Sequence, residues 1–141
     1  MAAIREQIFQ IKSDSSELKP LREKLRTLLI QAGFNDTIAE SILVALGEAV
    51  TNAIRHAYLG QPDKKITVTY EEFQEKITFK IRDFGVKIKL ENIPEPVLPP
   101  VKAGGLGIYF MKTIMDKLEY NTRHTEGNEL ILSKKKEGKK S

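Results

Sequence analysis

The sequence predicts an α+β fold in which helices cover one face of a mixed, mostly antiparallel β-sheet, a two-layer sandwich. Three observations support this prediction. Short stretches of alternating apolar and polar residues, typical of half-buried strands, surround two long segments with apolar residues at helical spacing. The predicted order β-α-α-β-β-loop-α-β-β groups the strands in pairs, which favours antiparallel neighbours over βαβ units. The length of 141 residues suits a single domain.

The N-terminal half of the chain predicts one strand and two helices. Residues 4–11 alternate and indicate a first strand at an edge of the sheet. An Asp-Ser-Ser cap at residues 14–16 precedes a helix whose leucines keep helical spacing up to Gly33. Asn35 or Asp36 then caps a second helix, which we expect to run to about Tyr58.

The C-terminal half predicts a hairpin, a long loop, a third helix and two closing strands. Residues 66–70 and 77–81 alternate and are joined by a short polar link, which indicates a hairpin. Residues 86–103 carry four prolines and predict a loop of the length that often forms a functional lid. The remaining elements are a helix at residues 108–117 and strands at residues 118–123 and 129–133.

Composition and charge narrow the classes of function. The net charge of +4 is more than accounted for by five lysines near the C-terminus, so the rest of the chain is about neutral. We therefore expect a domain at residues 1–133 and a basic, disordered tail at residues 134–141, with no direct nucleic-acid partner. The absence of cysteine excludes disulfides and thiolate sites, and the N-terminus has no signal-peptide pattern. We expect a cytoplasmic protein with no membrane partner.

The second helix carries a polar stripe beside its apolar face. Glu48, Asn52 and His56 are spaced four residues apart and therefore lie one above the other on the helix. The Asn oxygen of such a pair can coordinate Mg²⁺ while the carboxylate activates or orients a nucleophile. A Glu–Asn pair taken alone is more often an ordinary polar flank.

An acidic residue ends the second predicted strand of the hairpin. A carboxylate at Asp83 can accept a hydrogen bond from the amino group of adenine, and Gly85 would let the backbone approach the ring. Taken alone, Asp-x-Gly is an ordinary signal of a strand that enters a turn. The letters DFG also occur in eukaryotic-type protein kinases, but the other motifs of those kinases are missing here.

A glycine-rich segment precedes the third predicted helix. Gly105, Leu106 and Gly107 belong to the run GGLG, and free N–H groups at a helix start attract phosphate. The run is neither a Walker A loop nor a dinucleotide fingerprint, because the companion residues of those motifs are absent. A flexible hinge into the helix is the alternative interpretation.

The order of these motifs resembles that of the GHKL, or Bergerat-fold, ATPases. Within that superfamily, GEAVTNAIRHAY at residues 47–58 resembles the anti-sigma-factor serine-protein kinases, as do GLGIYFM at 105–111 and MDKLEY at 115–120. The resemblance extends over residues 14–133, nearly the whole chain.

The resemblance implies a role for each matching residue. Glu48 matches the catalytic carboxylate and Asn52 the Mg²⁺ ligand, while Asp83 matches the acid that binds adenine, with Gly85 in its loop. Gly105 and Gly107 match phosphate-binding glycines on either side of Leu106. His56 matches a common family residue that we expect to support the site structurally.

Two positions depart from the family pattern. Family members often have a second glycine where this chain has Lys87, so either the loop runs differently or Lys87 reaches the phosphates itself. Members usually have Gly-Thr before the last strand, where the Thr helps hold adenine, and this chain has Gly127-Asn128. Asn128 can still form hydrogen bonds, so we expect an altered nucleotide site.

The resemblance implies an ATP- and Mg²⁺-dependent protein serine/threonine kinase. It would phosphorylate a small STAS-type anti-sigma antagonist, bind a sigma factor when free, and form a homodimer. One alternative is a nucleotide-gated regulator with little or no kinase activity, which the two departures favour. A histidine kinase that carries its own phospho-acceptor is disfavoured, since the chain has no room for a dimerisation domain.

Overall fold

The computed structural model describes residues 2–88 and 103–136, with the backbone alone for 103–107. In that part of the chain, five strands form one antiparallel sheet in the order β1-β2-β3-β5-β4. The predicted α+β architecture is confirmed. In chain order the elements are β1 (Arg5–Lys12), a 3₁₀ turn (Ser15–Glu17), α1 (Leu18–Gln31), α2 (Asp36–Asn52), a π-helical turn (Ala53–Ala57), β2 (Lys65–Glu72), β3 (Lys76–Asp83), α3 (Ala103–Ile114), β4 (Lys117–Tyr120) and β5 (Asn128–Lys135).

The register of the sheet places apolar side chains in rows on one face. One row of residues crosses all five strands in the order β1, β2, β3, β5 and β4, because each residue of the row pairs with the one on the neighbouring strand. Its members are Phe9, Val68, Ile81, Leu130 and Tyr120. Alternation along each strand gives the opposite face mostly polar residues, with Ile8 and Ile131 among them. The side of the sheet that carries these rows is therefore the side that the helices cover.

The helix α2 supplies the centre of the core. The face predicted from its helical spacing is confirmed, since every one of its members is no more than 4% exposed: Ile42, Leu46, Ala49, Val50, Ala53 and Ala57. Burying a side chain of leucine or isoleucine size contributes about 1.5–3 kcal/mol each. The α1 leucines and α3 pack against α2, so this helix is covered on several sides.

The apolar character of α2 reflects its place in the core. Asn35 caps it as predicted, with its side-chain oxygen accepting from the Ile38 N–H at 2.8 Å. The 22-residue segment Asp36–Ala57 is long and apolar enough to cross a membrane by length and composition alone. Half of its most apolar window is buried inside the protein, as in the core helix of a globular domain.

The third helix differs from its predicted bounds. It begins at Ala103 and ends at Ile114, whereas helical spacing predicted residues 108–117. The glycine-rich run therefore lies inside the helix and does not precede it. Glycine is a poor helix former, but α3 packs against α2, and such packing overrides local propensity.

The closing strands also differ in length from the prediction. β4 ends at Tyr120, because the Asn121 side chain accepts the Arg123 N–H at 3.1 Å and turns the chain. β5 continues to Lys135, two residues past the predicted domain end, and Lys136 forms a nearly buried ion pair with Glu72 at 2.8 Å. The rest of the predicted tail, 137–141, and most of the predicted proline-rich loop, 89–102, lie outside the described residues.

Candidate functional site

The candidate site is centred on Asp83, the last residue of β3, whose side chain is almost fully buried. Because β3 and β5 are antiparallel, the end of one meets the start of the other, and Asp83 pairs with Asn128. The Asp83 carboxylate accepts the Gly85 N–H at 3.0 Å, and the Asn128 amide at 3.0 Å to Oδ1 and 3.3 Å to Oδ2. Three of the predicted site residues thus meet at one point.

The electrostatic setting of Asp83 suits a hydrogen-bond acceptor. Burial raises the pKa of Asp83, and the hydrogen bonds from Gly85 and Asn128, with the nearby Arg82 charge, oppose that rise. Within the described residues, Oδ1 accepts two hydrogen bonds, whereas Oδ2 accepts only the longer one from Asn128. Oδ2 therefore keeps capacity for a further N–H donor, such as the amino group of a purine.

A narrow apolar pocket lies directly over this carboxylate. Its walls are shared among helix α2, the π-helical turn, the sheet and the loop after β3: Ala49, Ala53, Ile81, Ile88, Tyr120 and Leu130, with Asp83 among them. Apolar walls around one polar acceptor suit an aromatic base. Only about 10 Å³ of the pocket is open to a water-sized molecule, so a base can enter only if a wall residue moves.

The predicted polar stripe of α2 runs along the rim of the pocket. Ala49 and Ala53 line the pocket, and Glu48 and Asn52 each precede one of them in the chain. Both polar side chains are partly exposed, and neither forms a hydrogen bond within the described residues, whereas His56 is exposed. The stripe thus passes from the core border to solvent, as its spacing predicted.

The chemistry of this rim fits a magnesium ion that also binds phosphates. Within residues 2–88 and 103–136, no group of three or more His, Asp or Glu residues could hold a metal alone. Mg²⁺ usually takes only one or two oxygen ligands from the protein and completes its shell with water and substrate phosphates. The Asn52 amide oxygen, one turn from the Glu48 carboxylate, is a ligand of that kind.

The structure explains the glycine at position 85 by a close contact with Ala57, whereas the sequence predicted that it lets the backbone approach an adenine ring. A Cβ built at Gly85 would overlap the carbonyl oxygen of Ala57 and lie 2.9 Å from its Cβ. That oxygen, in the last residue of the π-helical turn, accepts the Val86 N–H at 2.8 Å. Gly85 is therefore required for contact between the loop after β3 and the end of the α2 helix.

Lys87, at the position where family members often have a second glycine, has a hydrogen-bond partner within the protein. Its amino group donates to the backbone carbonyl of His124, in the turn between β4 and β5. Lys87 also avoids the left-handed backbone region, where Leu59 is the one non-glycine residue of the described chain. The loop accordingly runs differently from one built on a second glycine, and it is fastened to the neighbouring hairpin.

The predicted phosphate glycines lie in the first turns of α3. Gly105, Leu106 and Gly107 fall within Ala103–Ile114, so the expectation of a glycine loop ahead of the helix is wrong. The first four N–H groups of any α-helix lack partners inside it, and in α3 these belong to residues 103–106. An anion at this end would meet N–H groups that have no partner inside the helix.

Two residues that sequence reasoning did not assign also hold the site. Gly127 has φ of +66°, and a Cβ there would overlap the Asp83 carbonyl oxygen and lie 2.6 Å from the Phe84 Cα. The Tyr58 hydroxyl donates to the Lys65 carbonyl at 2.5 Å and accepts the Phe84 N–H at 2.7 Å. Tyr58 belongs to the GEAVTNAIRHAY segment, but nothing local in sequence indicates its partners.

Comparison with known proteins gives consistent matches. Residues 11–134 match the family model of the histidine kinase-like ATPase domain. The serine-protein kinase RsbW of Listeria innocua is 31% identical over 123 residues, covering 80% of this chain and 76% of the relative. The anti-sigma F factor of Clostridium perfringens is 34% identical over 110 residues, covering 74% and 79%. RsbW of Oceanobacillus iheyensis is 29% identical over 110 residues, covering 72% and 68%.

Proposed function

The chain belongs to the histidine kinase-like ATPase family, and we propose that it transfers phosphate from ATP to a serine or threonine of a protein. The observation that carries this proposal is the buried Asp83 carboxylate at the base of an apolar pocket, beside the Glu48–Asn52 rim. One polar acceptor among apolar walls favours an aromatic base that carries an amino group.

Each end of the nucleotide has candidate partners in this arrangement. Asp83 accepts from the adenine amino group, Asn128 contributes a second polar contact, and Gly85 keeps their loop in place. The phosphates meet the N-terminal turns of α3, where Gly105, Leu106 and Gly107 supply the backbone. Asn52 would hold Mg²⁺, which would supply positive charge beside the phosphates.

Glu48 is the proposed general base. Its carboxylate is partly exposed on the rim, where the hydroxyl of a protein substrate can approach it. In the transfer step the hydroxyl oxygen attacks the γ-phosphorus while its proton passes to Glu48, and ADP leaves with the electrons of the broken bond. Acid–base assistance of this kind contributes about 10²–10⁴-fold to a rate.

The names of the relatives guide the proposal for partners. Two are named serine-protein kinases and one an anti-sigma factor. We therefore propose a small STAS-type anti-sigma antagonist as the phosphate acceptor, a sigma factor as the alternative partner, and regulation of transcription by exchange between them. The protein would act in the cytoplasm as a homodimer.

A second candidate function is a nucleotide-gated regulator without kinase activity. The specific observation in its favour is the state of Asp83, whose carboxylate is bonded to the Asn128 amide under a pocket with little free space. Such a site could bind nucleotide weakly and still change the affinity for a partner. Phosphate transfer separates the two candidates.

The test measures transfer from radiolabelled ATP to the antagonist protein that co-purifies with the chain, with nucleotide binding followed by calorimetry. Glu48→Gln should retain nucleotide binding, because the amide has nearly the same volume, yet lose about 10²-fold or more in transfer. Asn52→Ala should weaken both, since it removes the metal ligand. Asp83→Ala should abolish binding.

A matched control lies on the same helix. Glu40→Gln makes the same chemical change at an exposed α2 residue whose partner is Arg26, and it should alter neither binding nor transfer. Transfer at the parental rate by Glu48→Gln would exclude Glu48 as the base. A parent protein that binds ATP and its partner but transfers nothing would favour the second candidate.

A further inference from the structure

The Asn128 side chain uses both of its N–H groups and its oxygen within the protein. Its amide nitrogen donates to Asp83 (3.0 and 3.3 Å) and to the Val86 carbonyl at 2.9 Å, and its oxygen accepts the Ile88 N–H at 2.8 Å. The residue is only 5% exposed. One carboxamide thus joins the end of β3, the start of β5 and the loop that follows β3.

These bonds determine what fills the pocket over Asp83. The two contacts to Val86 and Ile88 hold residues 86–88 across the carboxylate, and the Ile88 side chain becomes a wall of the pocket. The Lys87 amino group, bound to the His124 carbonyl, fastens the same stretch from its other side. The small free volume of the pocket follows from this closure.

We propose that Asn128 is a latch that keeps the purine pocket shut and thereby sets the nucleotide affinity of the protein. This inference rests on the proposed nucleotide site. In the closed state the pocket over Asp83 has only about 10 Å³ open, too little for a base, because Ile88 and the loop that Asn128 holds form its wall. Binding requires the carboxamide to release residues 86–88, which exposes the remaining acceptor capacity of Asp83.

The cost of opening appears directly in the measured affinity. When only a fraction of molecules is open, the apparent dissociation constant equals the intrinsic one divided by that fraction. A latch that leaves about a tenth of the molecules open weakens binding about tenfold. Once released, the same carboxamide offers a donor and an acceptor to the base, so Asn128 both opposes entry and supports the bound state.

A hydroxyl residue at this position separates the two roles. Asn128→Thr keeps one polar group for the base, but a single hydroxyl cannot bond Asp83, the Val86 carbonyl and the Ile88 N–H together. Threonine also suits the first residue of a strand. Calorimetry should show ATP binding about fivefold to tenfold tighter than in the parent protein, and amide exchange at Ile88 should be at least tenfold faster without nucleotide.

Asn121→Thr is the matched control. Asn121 lies in the same β4–β5 hairpin, its amide bonds Glu129 at 2.9 Å, and within the described residues its side chain forms no hydrogen bond to Asp83 or residues 86–88. This variant should keep both the parental affinity and the parental exchange at Ile88. If ATP affinity and amide exchange at Ile88 change in both variants, the cause is a general loosening of the hairpin, and the latch proposal is wrong.

The outcomes distinguish this inference from the proposed function. If the parent binds ATP and Asn128→Thr binds it equally or more weakly, Asn128 is only a ligand of the base and the latch is wrong. Unchanged exchange at Ile88 would overturn it as well, independently of nucleotide. If neither protein binds ATP at millimolar concentration, the proposed function itself fails and the latch fails with it.

Discussion

At the scale of single residues, two glycines of this chain differ in what an added side chain would contact. A Cβ at Gly85 would overlap the Ala57 carbonyl group. The oxygen of that group accepts the Val86 N–H from the loop after β3. A Cβ at Gly47, inside α2, would meet nothing in the described part of the chain closer than the Arg22 guanidinium at 3.7 Å, an ordinary contact. One methyl group therefore has opposite consequences at the two positions.

Gly85→Ala should lower the free energy of unfolding by about 1–3 kcal/mol, because the chain must shift to admit the methyl group. It should also weaken nucleotide binding, since the shift moves the loop that bonds Asp83. Gly47→Ala should be neutral or stabilising by up to about 1 kcal/mol, as expected for alanine in a helix interior. Urea unfolding compares the two variants, and equal midpoints would contradict the proposed contact with Ala57.

At the scale of elements, the end of α2 is joined to two strands by one hydroxyl group. Tyr58 follows the π-helical turn, and its hydroxyl bridges the first residue of β2, Lys65, and the residue after β3, Phe84. Burial raises the pKa of Tyr58, so the hydroxyl stays protonated and can donate. The rim on α2 and the Asp83 loop on the sheet are thereby held in a fixed relation.

Tyr58→Phe should cost about 1–3 kcal/mol of unfolding free energy, because a backbone N–H and a carbonyl lose their partner in a nearly buried place. Tyr70→Phe is the matched control: the Tyr70 hydroxyl is fully buried, but its bond to the Leu28 carbonyl is long, at 3.4 Å. The control should cost about 0.5 kcal/mol. Denaturant unfolding of both variants tests the difference, and a smaller loss at Tyr58 than at Tyr70 would refute it.

At the scale of the whole molecule, the sheet has one edge with the character of an interface. β1 is the outermost strand next to β2, and Ile4 and Ile8 near this edge are each 61% exposed. Unpaired N–H and C=O groups of an edge strand, with apolar side chains beside them, favour pairing with another chain. This edge is the surface through which we expect two copies to associate.

Light scattering at tens of micromolar should give about twice the chain mass of 16.0 kDa. Ile8→Lys places a charge on the edge strand and should shift the population towards monomer. Val44→Lys is the control, because Val44 is also exposed but lies on α2, away from β1. A monomeric parent at this concentration, or equal dissociation of both variants, would show that β1 is not the interface.

The sequence by itself determined the features that depend on local spacing. Helical periodicity specified the core face of α2 and the adjoining stripe of Glu48 and Asn52, and strand alternation placed Asp83 at the end of β3. The order of the motifs was enough to identify the family. Spacing carries this information because each residue reports the environment of its own helix turn or strand.

Only the tertiary structure decided how the site is closed. Gly85 serves a contact with Ala57, Lys87 binds the carbonyl of a residue 37 positions away, and Asn128 bonds Asp83 across 45 positions. The start of α3 within a glycine-rich run was equally a matter of packing against α2. No local pattern encodes such partners, because they meet only when the sheet pairs β3 with β5 and the helices pack on it.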